Sequence, residues 1–191
     1  MKYSFLLFVL CCSFGFSQAK NEKEERIRVS EFPEIAQNYF DFISHKVKYL
    51  KFYKETDGEN QSFEAKFKLN RRYYSIEFDT LGKLEDIEIV INKRHISKKV
   101  YQQIDTYFAS HFKKTRLLKT QKQYVNNTND TDALFIQKII KNQRNNRADF
   151  EIIADIKTHK THELREFSFD SNGIFKTSRV VTSSSYEHAL Y

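Results

Sequence analysis

One pattern occurs twice in this chain, and it restricts the fold more than any other feature. Phe32–Lys51, FPEIAQNYFDFISHKVKYLK, aligns with Val100–Lys119, VYQQIDTYFASHFKKTRLLK, at an offset of 68 residues. That offset sets Phe32 on Val100, Ala36 on Ile104, Tyr39 and Phe40 on Tyr107 and Phe108, and Leu50 on Leu118. Farther on, FDTLGKL (Phe78 to Leu84) is echoed by FDSNGIF (Phe169 to Phe175) at an offset of 91. The difference, 91 minus 68, gives the second copy 23 extra residues, mostly between Tyr124 and Asp149. A unit that repeats must bury its apolar face either by itself or against its twin.

Within each copy the apolar period changes from about 3.6 to 2. Phe32, Ile35, Ala36, Tyr39, Phe40 and Ile43 trace one face of a helix, with Pro33 in its first turn. The second helix begins at Ser97 as N-cap, with Ile96 stapled on Tyr101. Val100, Ile104, Tyr107, Phe108 and Phe112 form its apolar face. Strand patterns follow. KVKYLKFYK and RLLKTQKQYV come first, then SFEAKFKL and DFEIIADIK, then YYSIEFD, and then a strand with Ile87, Ile89 and Ile91. Few glycines and many β-branched and aromatic residues suit strands with short turns. The expected fold is α+β: two tandem helix-plus-four-stranded antiparallel meander repeats, with helices on one face of the sheet. The first repeat spans 31–93. The second spans 94–182, with an insertion at about 126–148 and a tail at 183–191. Within the insertion ALFIQKIIK reads as a short amphipathic helix with Asp132 as its cap. KNEKEERIR has no apolar face, so 18–30 reads as a polar linker.

The first seventeen residues, MKYSFLLFVLCCSFGFS, have one positive charge and an apolar run too short to span a bilayer. They read as a signal peptide cleaved between Ser17 and Gln18, with cleavage after Ala19 as the alternative. Leu10 and Cys11 precede Cys12, which does not suit a lipid anchor. Cys11 and Cys12 leave with this segment, so disulfides, thiolate nucleophiles and cysteine-bound metals are excluded from the mature chain. No transmembrane anchor is expected after processing. The net charge falls from +7 to about +6. The expected location is periplasmic or extracellular.

YYSIEFDTLGKLEDIEIVI, followed by HISKKVYQQIDTYF at the head of the next helix, resembles the PepSY-like, β-lactamase-inhibitor-protein-like domains of exported Bacteroidetes proteins. The resemblance covers Phe32 to Val181. It implies a non-enzymatic protein with one extended curved sheet, helices on one face and the other face free to bind. The second copy keeps FDSNGIF but departs from the pattern in a longer preceding hairpin, in the 23-residue insertion and around Ser97, where the proline is replaced.

Candidate chemical groups each have a competing structural explanation. Asp79 and Asp170 precede Gly82 and Gly173 by three residues, the signature of a turn closed by an Asp side chain and a glycine with φ > 0. A calcium loop would need alternate carboxylates, which are missing from Thr80 to Leu84. Glu85, Asp86 and Glu88 read as the wet face of a strand. His159 and His162, in THKTHE, are the one close histidine pair, and only Glu163 and His188 could complete a metal site with them. The basic stretches NKRHISKK and KKTRLLKTQK read as soluble surface, with an anionic envelope polymer as the alternative partner. No nucleophile elbow, zinc-helix motif or phosphate loop occurs. The expected function is non-catalytic: binding or inhibiting another exported or envelope protein through the open sheet face and loops. No cofactor and no nucleic acid are expected. The alternative is a metal- or small-molecule-binding periplasmic protein.

Overall fold

The computed structural model describes residues 22–41, 43, 46–143, 146–158 and 161–182. The Ser17/Gln18 junction, His159 and the tail at 183–191 lie outside them. Nine antiparallel strands form one sheet in chain order. They are β1 (Glu22–Ile27), β2 (Lys48–Asp57), β3 (Asn60–Leu69), β4 (Arg72–Phe78), β5 (Leu84–Val90), β6 (Lys114–Tyr124), β7 (Asp149–Lys157), β8 (His162–Phe169) and β9 (Phe175–Val180). Three helices interrupt them: α1 (Glu34–Gln37), α2 (Lys98–His111) and α3 (Asp132–Lys141).

Alternation explains the two faces. In β3, Ala65, Phe67 and Leu69 are buried against the helices while Glu64 and Lys66 turn the other way. In β7 and β8, Phe150, Ile152, Ala154, Ile156, Phe167 and Phe169 form one cluster with Ile104 and Phe108 of α2. The first half packs Ala36 and Phe40 on β3, β4 and β5. Phe32 lies at the centre of an aromatic group, 4.7 Å from Phe52 and 5.7 Å from Phe78.

The first helix is shorter than its sequence pattern predicts. Pro33 stands just before α1, with φ −54° and ψ 126°, and a single turn of 3-10 helix (Asn38–Phe40) follows. So short an element cannot cover five strands. Residues of the insertion complete the cover: Phe135, Ile136 and Ile139 of α3 are buried in the first half's core. Thr131, not Asp132, caps α3, its hydroxyl accepting the Leu134 N–H. Asp132 accepts the N–H of Leu84 at 3.1 Å instead, tying α3 to β5.

The polar linker at 18–30 is corrected by β1, which pairs with β2 from Glu22–Asp57 to Ile27–Phe52. Composition conceals this because the strand is held by backbone pairing on a free edge and by charge partners far along the chain. Glu24 meets Lys66 at 2.6 Å, and Glu22 meets Arg179 of β9 at 3.2 Å. That last pair brings the first and last strands together across the polar face. The expected free, extended face is therefore a trough whose rims are drawn together by charge.

The two Asp-x-x-Gly turns have matching geometry. Asp79 Oδ1 accepts N–H groups of Leu81 and Lys83 at 2.8 and 2.9 Å. Asp170 Oδ1 accepts those of Asn172 and Ile174 at 2.9 and 2.8 Å. Gly82 and Gly173 have φ of +79° and +83°. Gly82 packs on Pro33 and Ile35 of the first helical segment, Gly173 on Val100 and Gln103 of the second.

Candidate functional site

All nine strands contribute to the polar face. Glu22 and Glu24 come from β1, Glu55 from β2, Glu64 and Lys66 from β3, Glu77 from β4, and Asp86 and Glu88 from β5. Lys119, Gln121 and Gln123 come from β6, Glu151 and Ile153 from β7, Glu166 from β8 and Arg179 from β9. They line a cavity of about 150 Å³ in which Ile153 is the one apolar side chain. Nine carboxyls against three cationic groups leave a formal charge of −6 if all ionise. The chain as a whole carries +7. Nine of the chain's 25 acids thus meet in one trough of a basic chain.

Lys66 and Arg179 are firmly paired. Lys66 Nζ lies 2.6 Å from Glu24 Oε1 and 3.0 Å from Glu64 Oε2. Among the described residues, Glu24, Glu55 and Glu64 form the one grouping with three carboxylate ligands within 4.8 Å of one another. The Lys66 ammonium sits on two of these three, where a metal ion would have to displace it. Burial and the Glu64 charge push the Glu55 carboxyl up to about 10. At neutral pH it keeps its proton and bonds to Glu64. Burial raises Glu64 too, but the Lys66 charge and the Ser75 hydroxyl outweigh it and hold Glu64 low. Near the rims, Arg179 Nε donates to Glu166 at 2.8 Å and Nη2 donates to Glu22.

The middle of the trough differs. Glu64, Glu77 and Asp86 are directly opposed on β3, β4 and β5. Such neighbours have Cβ atoms about 5 Å apart, and like charges there repel. Burial pushes the Glu77 carboxyl well above its usual range, and Asp86 adds to this. Burial and then Glu88 do the same to Asp86. Gln123 donates to Asp86 Oδ2 at 2.8 Å and Gln121 donates to Glu88. The other oxygen, Asp86 Oδ1, is buried and accepts no hydrogen bond. Glu77, Asp86 and Glu88 make no ion pair among the described residues. The arrangement can do one of two things: hold protons, or hold a cation brought from outside.

Asp86 was expected on a wet face and is buried, because the sheet curls over it. Asp79, Gly82, Asp170 and Gly173 sit at hairpin ends and do not line the trough. His162 Nδ1 is 3.3 Å from Asp155 Oδ1, and Asp155 also pairs with Arg116 at 3.1 Å. Tyr73, half exposed, carries the Lys68 ammonium 4.6 Å above its ring rather than joining an aromatic patch. Sequence reasoning missed Glu55, Glu64, Glu77 and Arg179. A signal existed: with YYSIEF and SFEAKF joined by a two-residue turn, Glu64 and Glu77 must face each other.

No family model matches the chain, and no curated protein matches it. Solved structures do, among them two from Bacteroides. A DUF2874 family protein from Bacteroides ovatus matches with TM-score 0.52 and 11% identity, over 78% of this chain and 87% of that one. A DUF2874 family protein from Bacteroides uniformis matches with TM-score 0.53 and 10% identity, over 80% and 91%. At such identity the likeness shows the fold alone: an antiparallel sheet with few helices that also occurs in Bacteroides.

Proposed function

We propose that this chain is an exported, non-catalytic binding protein of PepSY-like type, and that it receives a cation in the trough at Glu77, Asp86 and Glu88. The observation that carries the proposal is the unpartnered Asp86 Oδ1 at the end of an opposed carboxyl row. Buried acids without a counter-charge are costly unless they stay protonated or a cation arrives. Lys66 and Arg179 illustrate the chemistry the trough accepts, since each is gripped by at least two carboxylates. The cation is either a free divalent ion or the ammonium group of another exported protein.

Two helix-plus-meander units remain our reading of the architecture. The packing of Gly82 on Ile35 and of Gly173 on Gln103 supports it, because those partners are 68 residues apart, the offset of the helical match. The signal-like first seventeen residues support export.

Calorimetric titration of the chain from Gln18 onward with calcium, and separately with spermidine, tests the proposal. Saturable binding of either is expected, weakened at least tenfold by Glu77→Gln with Asp86→Asn (on the order of 1.4 kcal/mol or more). Binding of neither by the unaltered chain would overturn the proposal.

A further inference from the structure

A second site lies on the opposite face and has the opposite sign. One row across the sheet runs Tyr74, Ile89, Lys122, Phe150, Phe169, each residue directly opposed to the next. Four of the five are buried core residues of the helix-covered face. The fifth is a lysine. A lysine in such a row has a stem that can pack and a head that must find water or an anion. Lys122 is half-buried and has no ion pair among the described residues.

Its surroundings explain where the head goes. The last turn of α3 and the short 3-10 turn Lys93–His95 leave the sheet uncovered between the two core clusters. The resulting cleft, about 430 Å³, is lined by Arg72, His95, Lys122 and Lys141, together with Tyr74 and Gln143, and among the described residues by no carboxylate. Arg72 also rises from the helix-covered face, two residues before Tyr74 on β4. Gln143 accepts from its guanidinium and donates to the Tyr74 hydroxyl at 2.5 Å, which fixes the fork in place. Burial and the Arg72 charge both lower the Lys122 pKa. Burial, Arg72, Arg94 and Lys122 lower that of His95. Arg72 and Lys122 are held together against their mutual repulsion, while His95 Nδ1 accepts the Asn92 N–H.

We infer that this cleft binds an oxyanion of phosphate or sulfate type, with Arg72 and Lys122 as its principal contacts and His95 and Lys141 at the mouth. A fixed guanidinium beside a half-buried ammonium matches the spread charge and several acceptors of such a group. The site is independent of the acidic trough, since the sheet separates them and they share no lining residue.

Calorimetry at low ionic strength with inorganic phosphate, and separately with glucose 6-phosphate, tests the inference on the unaltered chain. Saturable binding of phosphate alone identifies a free-anion site, and binding of the sugar phosphate identifies room for a carrier. Either supports the inference. Lys122→Leu is expected to lose at least tenfold in affinity while melting at a higher temperature, because leucine completes the apolar row. Lys141→Gln guards against a folding artefact and is expected to weaken binding several-fold with an unchanged melt. Lys99→Gln, outside the cleft, is expected to change neither. Absence of saturable binding of both ligands, or affinity unaffected by Lys122→Leu, would overturn the inference.

Discussion

A Cβ on Gly173 would lie 2.7 Å from the Val100 carbonyl oxygen, and on Gly82 it would lie 3.1 Å from Pro33 Cβ. On Gly58, whose φ is +63°, it would meet nothing within 4 Å. All three conformations resist an L side chain, which costs roughly 1–2 kcal/mol. Only at Gly173 is a backbone atom also in the way. Gly58→Ala should therefore cost about 1 kcal/mol, Gly82→Ala roughly 2, and Gly173→Ala roughly 3 or more, as read from denaturant midpoints. The buried acids set a second prediction at this scale. A carboxyl whose folded pKa is raised stabilises fully below its unfolded pKa, and that stability is lost as pH rises through the folded value. Glu55 is raised from an ordinary 4.5 to about 10, and Glu77 and Asp86 are raised well above theirs. Thermal stability should fall as pH climbs from about 5 to 9. Glu77→Gln should flatten that fall. A melting temperature that rises steadily over the same range would contradict the buried row.

The helices and strands differ in how plainly they can be read. The α2 cap at Ser97 and the alternation of β3 and β7 are local, and the residues that dictate them are neighbours in sequence. β1 is not local: EKEERI has no apolar stripe, and it is held by β2, from Glu22–Asp57 to Ile27–Phe52, and by Arg179 near the other end. The shortness of α1 is hidden for a related reason. Its apolar pattern reaches Ile43, but the sheet it must cover is completed by α3, whose place beside the first half depends on tertiary packing. The concave carboxyls are hidden because alternation tells which face a residue takes and not how far the sheet curls. Ile136→Ala should therefore cost about 3 kcal/mol, in the same cooperative transition as the sheet. If instead α3 were a peripheral insertion, the loss would be under 1 kcal/mol. Arg179→Met should cost roughly 1–3 kcal/mol, because buried Glu166 loses this ion pair while the arginine itself is partly exposed.

At the scale of the molecule, a chain of net charge +7 gathers nine of its 25 acids in one trough. The nine-stranded meander makes this possible: one face takes the apolar residues under three helices, and the other curls into a trough lined by every strand. Lys66 and Arg179 neutralise its flanks, and the opposed Glu77 and Asp86 are left to protons or to an incoming cation. If protons fill the row when it is empty, a cation must expel them as it binds. Calorimetric titration at neutral pH with whichever of calcium and spermidine binds, in two buffers of different ionisation enthalpy, reads that exchange. The account predicts saturable binding with net release of protons, abolished together by Glu77→Gln with Asp86→Asn. Binding that releases no protons, or that survives the double substitution, would contradict it.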